Sequence, residues 1–164
     1  MTIEEHYNAI APKLTSYLVG VGTDYHAACD IVQETFLRLW KKRDELTDDP
    51  AQVSGYVYTI ARHLRADRLR RQSRETLQEE ITDEDAGAVM PSDTGATDAV
   101  YLRRRLNDAL AQLPPLVREA FSLFQISELS VREIARITGA TENLVKVRVH
   151  RAKMKLRELL ADVA

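Results

Sequence analysis

The stretch Ser130-Val131-Arg132-Glu133-Ile134-Ala135-Arg136-Ile137-Thr138-Gly139-Ala140-Thr141 carries a helix start, a helix stop and a second helix start. Ser130 precedes Glu133 by three residues, the spacing at which a serine hydroxyl and a glutamate carboxylate can cap a helix N-terminus reciprocally. Gly139 stands where a C-terminal glycine ends a short helix, and Thr141 can cap the next one only two residues later. Two helices so close, joined by a tight glycine-containing turn, form a helix-turn-helix.

Downstream, Val145, Val149, Ala152 and Leu156 recur at helical spacing and are expected to pack inward. The other faces of that last helix then hold Lys146, Arg148, His150, Arg151, Lys153 and Lys155. Major-groove readout uses such an arrangement: an apolar stripe anchors the helix, Arg or Lys reaches guanine edges, and further cations meet phosphates. An ordinary solvated basic face is the competing reading. The motif immediately upstream favours DNA.

Upstream, Leu102, Leu106, Ala109, Leu110 and Leu113 repeat with helical period as far as Pro114-Pro115, and a helix over about Leu116 to Ile126 follows. Residues 75 to 98 are different. They hold 8 acidic and no basic residues, whereas residues 1 to 74 hold 11 basic against 10 acidic and residues 99 to 164 hold 12 against 7. The modest overall charge of −2 therefore hides two neutral-to-basic blocks joined by an acidic linker too poor in apolar residues to build a core.

In the first block, Ile10, Leu14, Tyr17 and Leu18 predict a helix ending near Gly20 to Gly22. From Asp24 to Arg43 a second helix places Ala28, Val32, Thr35, Phe36 and Leu39 on one face, leaving Asp30, Gln33, Glu34, Leu37 and Lys41 on the other. Thr47-Asp48-Asp49-Pro50 is a break. A third helix over about Gln52 to Arg71 buries Val53, Val57, Ile60, Ala61 and Leu64. Its end is basic, with Arg62, His63, Arg65, Arg68, Arg70, Arg71 and Arg74 preceded by Tyr56 and Tyr58. Cations interleaved with aromatics suit melted nucleic acid, because rings stack on unpaired bases while arginines hold the backbone. Tyrosines two residues apart face different sides of a helix, so Tyr58 can equally be a core residue.

With six glycines, five prolines and abundant Ala, Leu, Arg and Glu, the composition predicts an all-α chain of two small helical domains. The expected boundaries are 1 to 74 and 99 to 164, with the linker over 75 to 98. No apolar run of membrane-spanning length occurs, and the N-terminus lacks the basic start and apolar stretch of a signal peptide, so a cytoplasmic protein without membrane insertion is expected. Cys29 is the only cysteine, which leaves no internal disulfide, and with His26 it falls short of the four ligands a zinc site needs. The four histidines lack metal-ligand spacing and there is no glycine-rich phosphate loop. No enzyme, metal or cofactor is expected.

Several of these segments resemble one family. Asp30-Ile31-Val32-Gln33-Glu34-Thr35-Phe36-Leu37-Arg38-Leu39-Trp40 looks like the polymerase-binding segment of bacterial sigma factors. Tyr56-Val57-Tyr58-Thr59-Ile60-Ala61-Arg62-His63-Leu64-Arg65-Ala66-Asp67-Arg68-Leu69-Arg70-Arg71 resembles the promoter-melting segment of the extracytoplasmic-function (ECF) type. Leu113 to Phe121, Leu129 to Ala135 and Val149 to Arg157 are similar to the −35-binding domain of the same family. The motifs occur in the family's order along nearly the whole chain outside the linker.

The resemblance implies a sigma factor that binds core RNA polymerase through the clamp helices and flap, directs it to promoter DNA, answers to an anti-sigma factor and is a monomer when free. It assigns Asp30, Gln33, Glu34 and Leu37 to polymerase, and Tyr56, Tyr58, Arg62, His63, Arg65 and Arg68 to the −10 element, including capture of a flipped base. Lys146, Val147, Arg148, His150, Arg151 and Lys153 fall to the −35 element. His63 stands where the family commonly has Asn, and Asn143-Leu144-Val145 with Val147 replaces a common Gly-Thr-Val then Ser arrangement, so the preferred bases do not carry over. Two other functions remain compatible with the sequence: a sigma-like decoy that titrates an anti-sigma factor, and a stand-alone helix-turn-helix regulator. The linker is either a solvated tether or an acidic mimic of nucleic acid in a polymerase channel.

Overall fold

The computed structural model describes residues 2–76 and 97–163. Among them the chain forms seven α-helices: α1 (Ile3–Gly20), α2 (Tyr25–Lys41), α3 (Pro50–Thr76), α4 (Thr97–Ala111), α5 (Pro115–Phe121), α6 (Val131–Thr138) and α7 (Glu142–Leu159). A 3-10 turn (Arg43–Glu45) follows α2, and a π turn (Ser122–Ile126) extends α5. The acidic linker expected over 75 to 98 lies, from 77 to 96, outside the described residues.

Local chemistry sets the boundaries. Thr2 and Glu5 form a reciprocal capping box at the start of α1. The Asp24 carboxylate accepts from the backbone N–H groups of His26 and Ala27 to open α2. Pro50 begins α3, a position where its missing N–H costs nothing. This helix runs five residues beyond the expected Arg71, through a polar stretch that no apolar periodicity could have marked.

Helices α1, α2 and α3 pack on one another, and α7 packs against α4, α5 and α6. The expected inward stripes of α1, α2, α3 and α7 are all buried. That of α4 is buried only from Ala109 onward; Leu102 and Leu106 face outward, 47% and 37% exposed.

Buried side chains of the two regions meet in a shared cluster. One continuous cluster joins Leu14, Tyr17, Leu18, Val57 and Tyr58 of the first region with Ala120, Leu123, Ile134, Ile137, Val145 and Val149 of the second. A smaller cluster joins Leu110, Leu113, Val117 and Phe121 with Ala152 and Leu156. The two helical regions are thus packed face to face.

His6 sits in α1 with 5% of its surface exposed, and burial, helped by the N-terminal charge and opposed by Glu5, lowers its pKa from the usual 6.5. The unfolded chain then takes up the proton more readily, so stability is full above pH 6.5 and is lost as pH falls toward the folded value. Thermal unfolding between about pH 7 and 5 should show a decline that His6→Gln flattens, and parallel profiles for the two proteins would refute this.

Candidate functional site

The turn between α6 and α7 forms as its residues dictate. The Ser130 hydroxyl accepts from Glu133 N at 3.1 Å, and Gly139 ends α6 at φ +73°, the left-handed region that glycine enters without strain. The Thr141 hydroxyl accepts from Leu144 N at 3.1 Å to start α7. With Val145, Val149, Ala152 and Leu156 buried, Lys146, Val147, His150 and Arg151 are exposed on the outer face. Arg148 and Lys153 are half-buried, the latter with its ammonium 4.8 Å from the centre of the Phe124 ring. Leu144, one of the departures from the common family arrangement, is 40% exposed beside Val147, an apolar pair of the kind that meets thymine methyl groups.

On α2, Asp30, Gln33, Glu34 and Leu37 are all exposed. Leu37 is 55% exposed, and Trp40, one helical turn further along, is 51% exposed with the Arg43 guanidinium 4.1 Å from its ring centre. The sequence reading missed Trp40 as part of this face, although its i+3 relation to Leu37 places the two together. Glu34 receives a 3.2 Å ion pair from Arg38, and Asp30 a 3.5 Å one from Arg68.

The residues expected at the −10 element divide. Tyr56 is half-buried and borders an open cavity of about 330 Å³ lined also by Lys42, Glu45, Leu46, Thr47, Gln52 and Val53. His63 is exposed and Arg68 half-exposed on the way to Asp30. Tyr58 departs from the expectation. It is 2% exposed, its hydroxyl donates to Ser127 Oγ at 2.8 Å, and burial pushes its pKa up to about 12. In this arrangement it is a core residue, the alternative that its place two positions from Tyr56 left open.

Arg62 is turned into the seam between the regions, whereas the hydrogen bonds of Arg65 stay within the first region. Arg62 Nε donates to both carboxylate oxygens of Glu119 at 3.1 Å, and the same carboxylate accepts from the Tyr17 hydroxyl at 2.8 Å. The hydrogen bond to Glu119 raises the Arg62 pKa, while burial and then Glu119 raise that of Tyr17. Arg65 donates to Val21 O at 2.9 Å and to the Thr23 hydroxyl at 3.2 Å. Among the described residues no group of three or more His, Cys, Asp or Glu side chains could hold a metal ion, and no helix is long and apolar enough to cross a membrane.

Residues 6–75 match the family model of Sigma-70 region 2, and residues 103–156 that of Sigma-70 region 4. The chain is 32% identical over 162 residues to the RNA polymerase sigma factor CarQ of Myxococcus xanthus, covering 98% of this chain and 90% of that one. The chain belongs to the ECF sigma factors. This sigma factor is also 27% identical to SigM of Bacillus subtilis over 97% of its own length and 95% of the relative's. Its fold matches the sigma factor RpoE of Bartonella quintana, solved with the anti-sigma factor NepR, at a TM-score of 0.79 and 26% identity over 96% of both chains. Sigma factors are known as non-catalytic transcription initiation factors.

Proposed function

We propose that this sigma factor brings core polymerase to its promoters through three surfaces, and that it has no catalytic activity of its own. Asp30, Gln33, Glu34 and Leu37, extended by Trp40, dock on the clamp helices, a polar face with an apolar centre of the kind that anchors protein interfaces. The flap would engage the second region. Tyr56, His63 and Arg68 meet the −10 element, and the cavity beside Tyr56 is the candidate place for a flipped base, with the ring as its stacking partner. Lys146, Val147, Arg148, His150, Arg151 and Lys153 meet the −35 element. The observation that carries the reading is the outward display of Lys146, Val147, His150 and Arg151 from a helix whose opposite stripe is fully packed. We further propose control by an anti-sigma factor and residence in the cytoplasm with polymerase; the first is supported by the relative solved with NepR.

The test is transcription in vitro from genomic promoter fragments by core polymerase with and without this protein. Stimulation is expected on a subset of fragments, and none on any fragment would overturn the proposal. In the same assay Arg151→Ala should weaken promoter use by one lost base contact, about 1–3 kcal/mol. Wild-type activity of that variant on every fragment would remove Arg151 from the −35 surface.

A further inference from the structure

Proline is rare inside helices because it has no N–H to give the carbonyl four residues back. Pro12 nonetheless sits within α1, so the carbonyl of Asn8 lacks its helical donor. Both residues are exposed, and both border a cavity of about 330 Å³ between α1 and α2. The free acceptor therefore lies beside an open groove and not in the core.

Asn8 and Pro12 of α1 stand across this groove from Cys29 and Gln33 of α2, each pair one helical turn apart, with buried Ala11 and Val32 as the floor. Tyr7, 43% exposed, borders it as well, its ring held edge-on to Phe36 at 5.0 Å between centres. Among the described residues the side-chain amides of Asn8 and Gln33 have no hydrogen-bond partner. An apolar floor with a few convergent polar groups is the usual form of a specific pocket. No charged residue lines it, which makes it a poor seat for phosphates and a suitable one for a protein side chain. Gln33 joins the groove to the face of α2 already assigned to polymerase.

We propose that this groove is a second anchor point for core polymerase: it takes one side chain with an apolar body and an N–H donor at its tip, and the Asn8 carbonyl accepts from that donor. The occupant projects from the same polymerase surface that meets Gln33. The proposal rests on the reading of the outer α2 face as the polymerase contact, and it carries that contact onto α1.

Cys29, the single cysteine of the chain, lines the groove half-buried, so alkylation by N-ethylmaleimide places a group there and at no other thiol. The alkylated protein should bind core polymerase at least about tenfold more weakly with helical content unchanged, while Cys29→Ser treated alike keeps the parent's affinity. With polymerase about tenfold above its dissociation constant, the thiol of the unmodified protein should react roughly tenfold more slowly, read from the mass of the recovered chain. Pro12→Ala returns an N–H to the Asn8 carbonyl and favours the helix, so the thermal midpoint should rise while polymerase binding weakens about two- to tenfold, the worth of one hydrogen bond. A purely structural Pro12 would give a variant that binds as well as the parent or better, and that result overturns the proposal. Full affinity of the alkylated protein, or a thiol that polymerase does not protect, does the same. Protection by a promoter oligonucleotide alone, or by a raised concentration of the chain itself, gives the groove to another occupant and also overturns it. Loss of affinity in the Gln33→Ala, Glu34→Ala double variant together with an unprotected thiol keeps the outer face and strikes only the groove.

Discussion

Replacing Gln33 and Glu34 together by alanine is expected to weaken binding to core polymerase by roughly 10- to 100-fold while leaving the thermal midpoint nearly unchanged. Both side chains project from the outer face of α2 and neither belongs to the core. Of their contacts within the chain, the Glu34 ion pair with Arg38 is half-exposed on both sides, a type of pair worth little to stability. The buried stripe of α2, from Ala28 to Leu39, is untouched by the change. Titration of labelled protein with core polymerase separates the two effects. Equal affinity for polymerase would remove this face from the interface, and a large fall in the midpoint would make it structural.

Leu123→Ala should have the largest effect on stability, about 2–5 kcal/mol, because its side chain is completely buried and a cavity would remain. The residue lies in the π turn, and its carbonyl accepts from Leu129 N at 3.1 Å, so the backbone around it is held and cannot collapse freely. Its cluster contains side chains of α1, α2 and α3 as well as α6 and α7. Both regions are therefore expected to lose stability together, in one urea transition shifted to lower midpoint. A loss confined to the second region, with the first melting as before, would show that the shared cluster does not couple them.

The features legible in the sequence were those decided by near neighbours. Ser130, Gly139 and Thr141 mark the ends of α6 and the start of α7 because caps and left-handed stops depend on residues within one helical turn. The stripes of α2, α3 and α7 were readable for the same reason, since helical period is a local signal. Tyr58 was not. Whether that ring faces DNA or core depends on Ser127, 69 positions away, and Tyr17 meets Glu119 across 102. No spacing rule joins such pairs, and Glu119 alone looked like any acidic residue in a short helix. The outward-facing Leu102 and Leu106 carry the reverse lesson, that periodicity fixes which residues share a face without saying whether anything covers it.

Trp40 has a practical consequence. It is the single tryptophan of the chain, and it stands half-exposed on the face assigned to polymerase, with a guanidinium over its ring. Its emission is thus an intrinsic optical probe of that one surface. Burial on the clamp should shift it to shorter wavelength, whereas events at α7 should leave it unchanged, so it reports docking and not promoter reading.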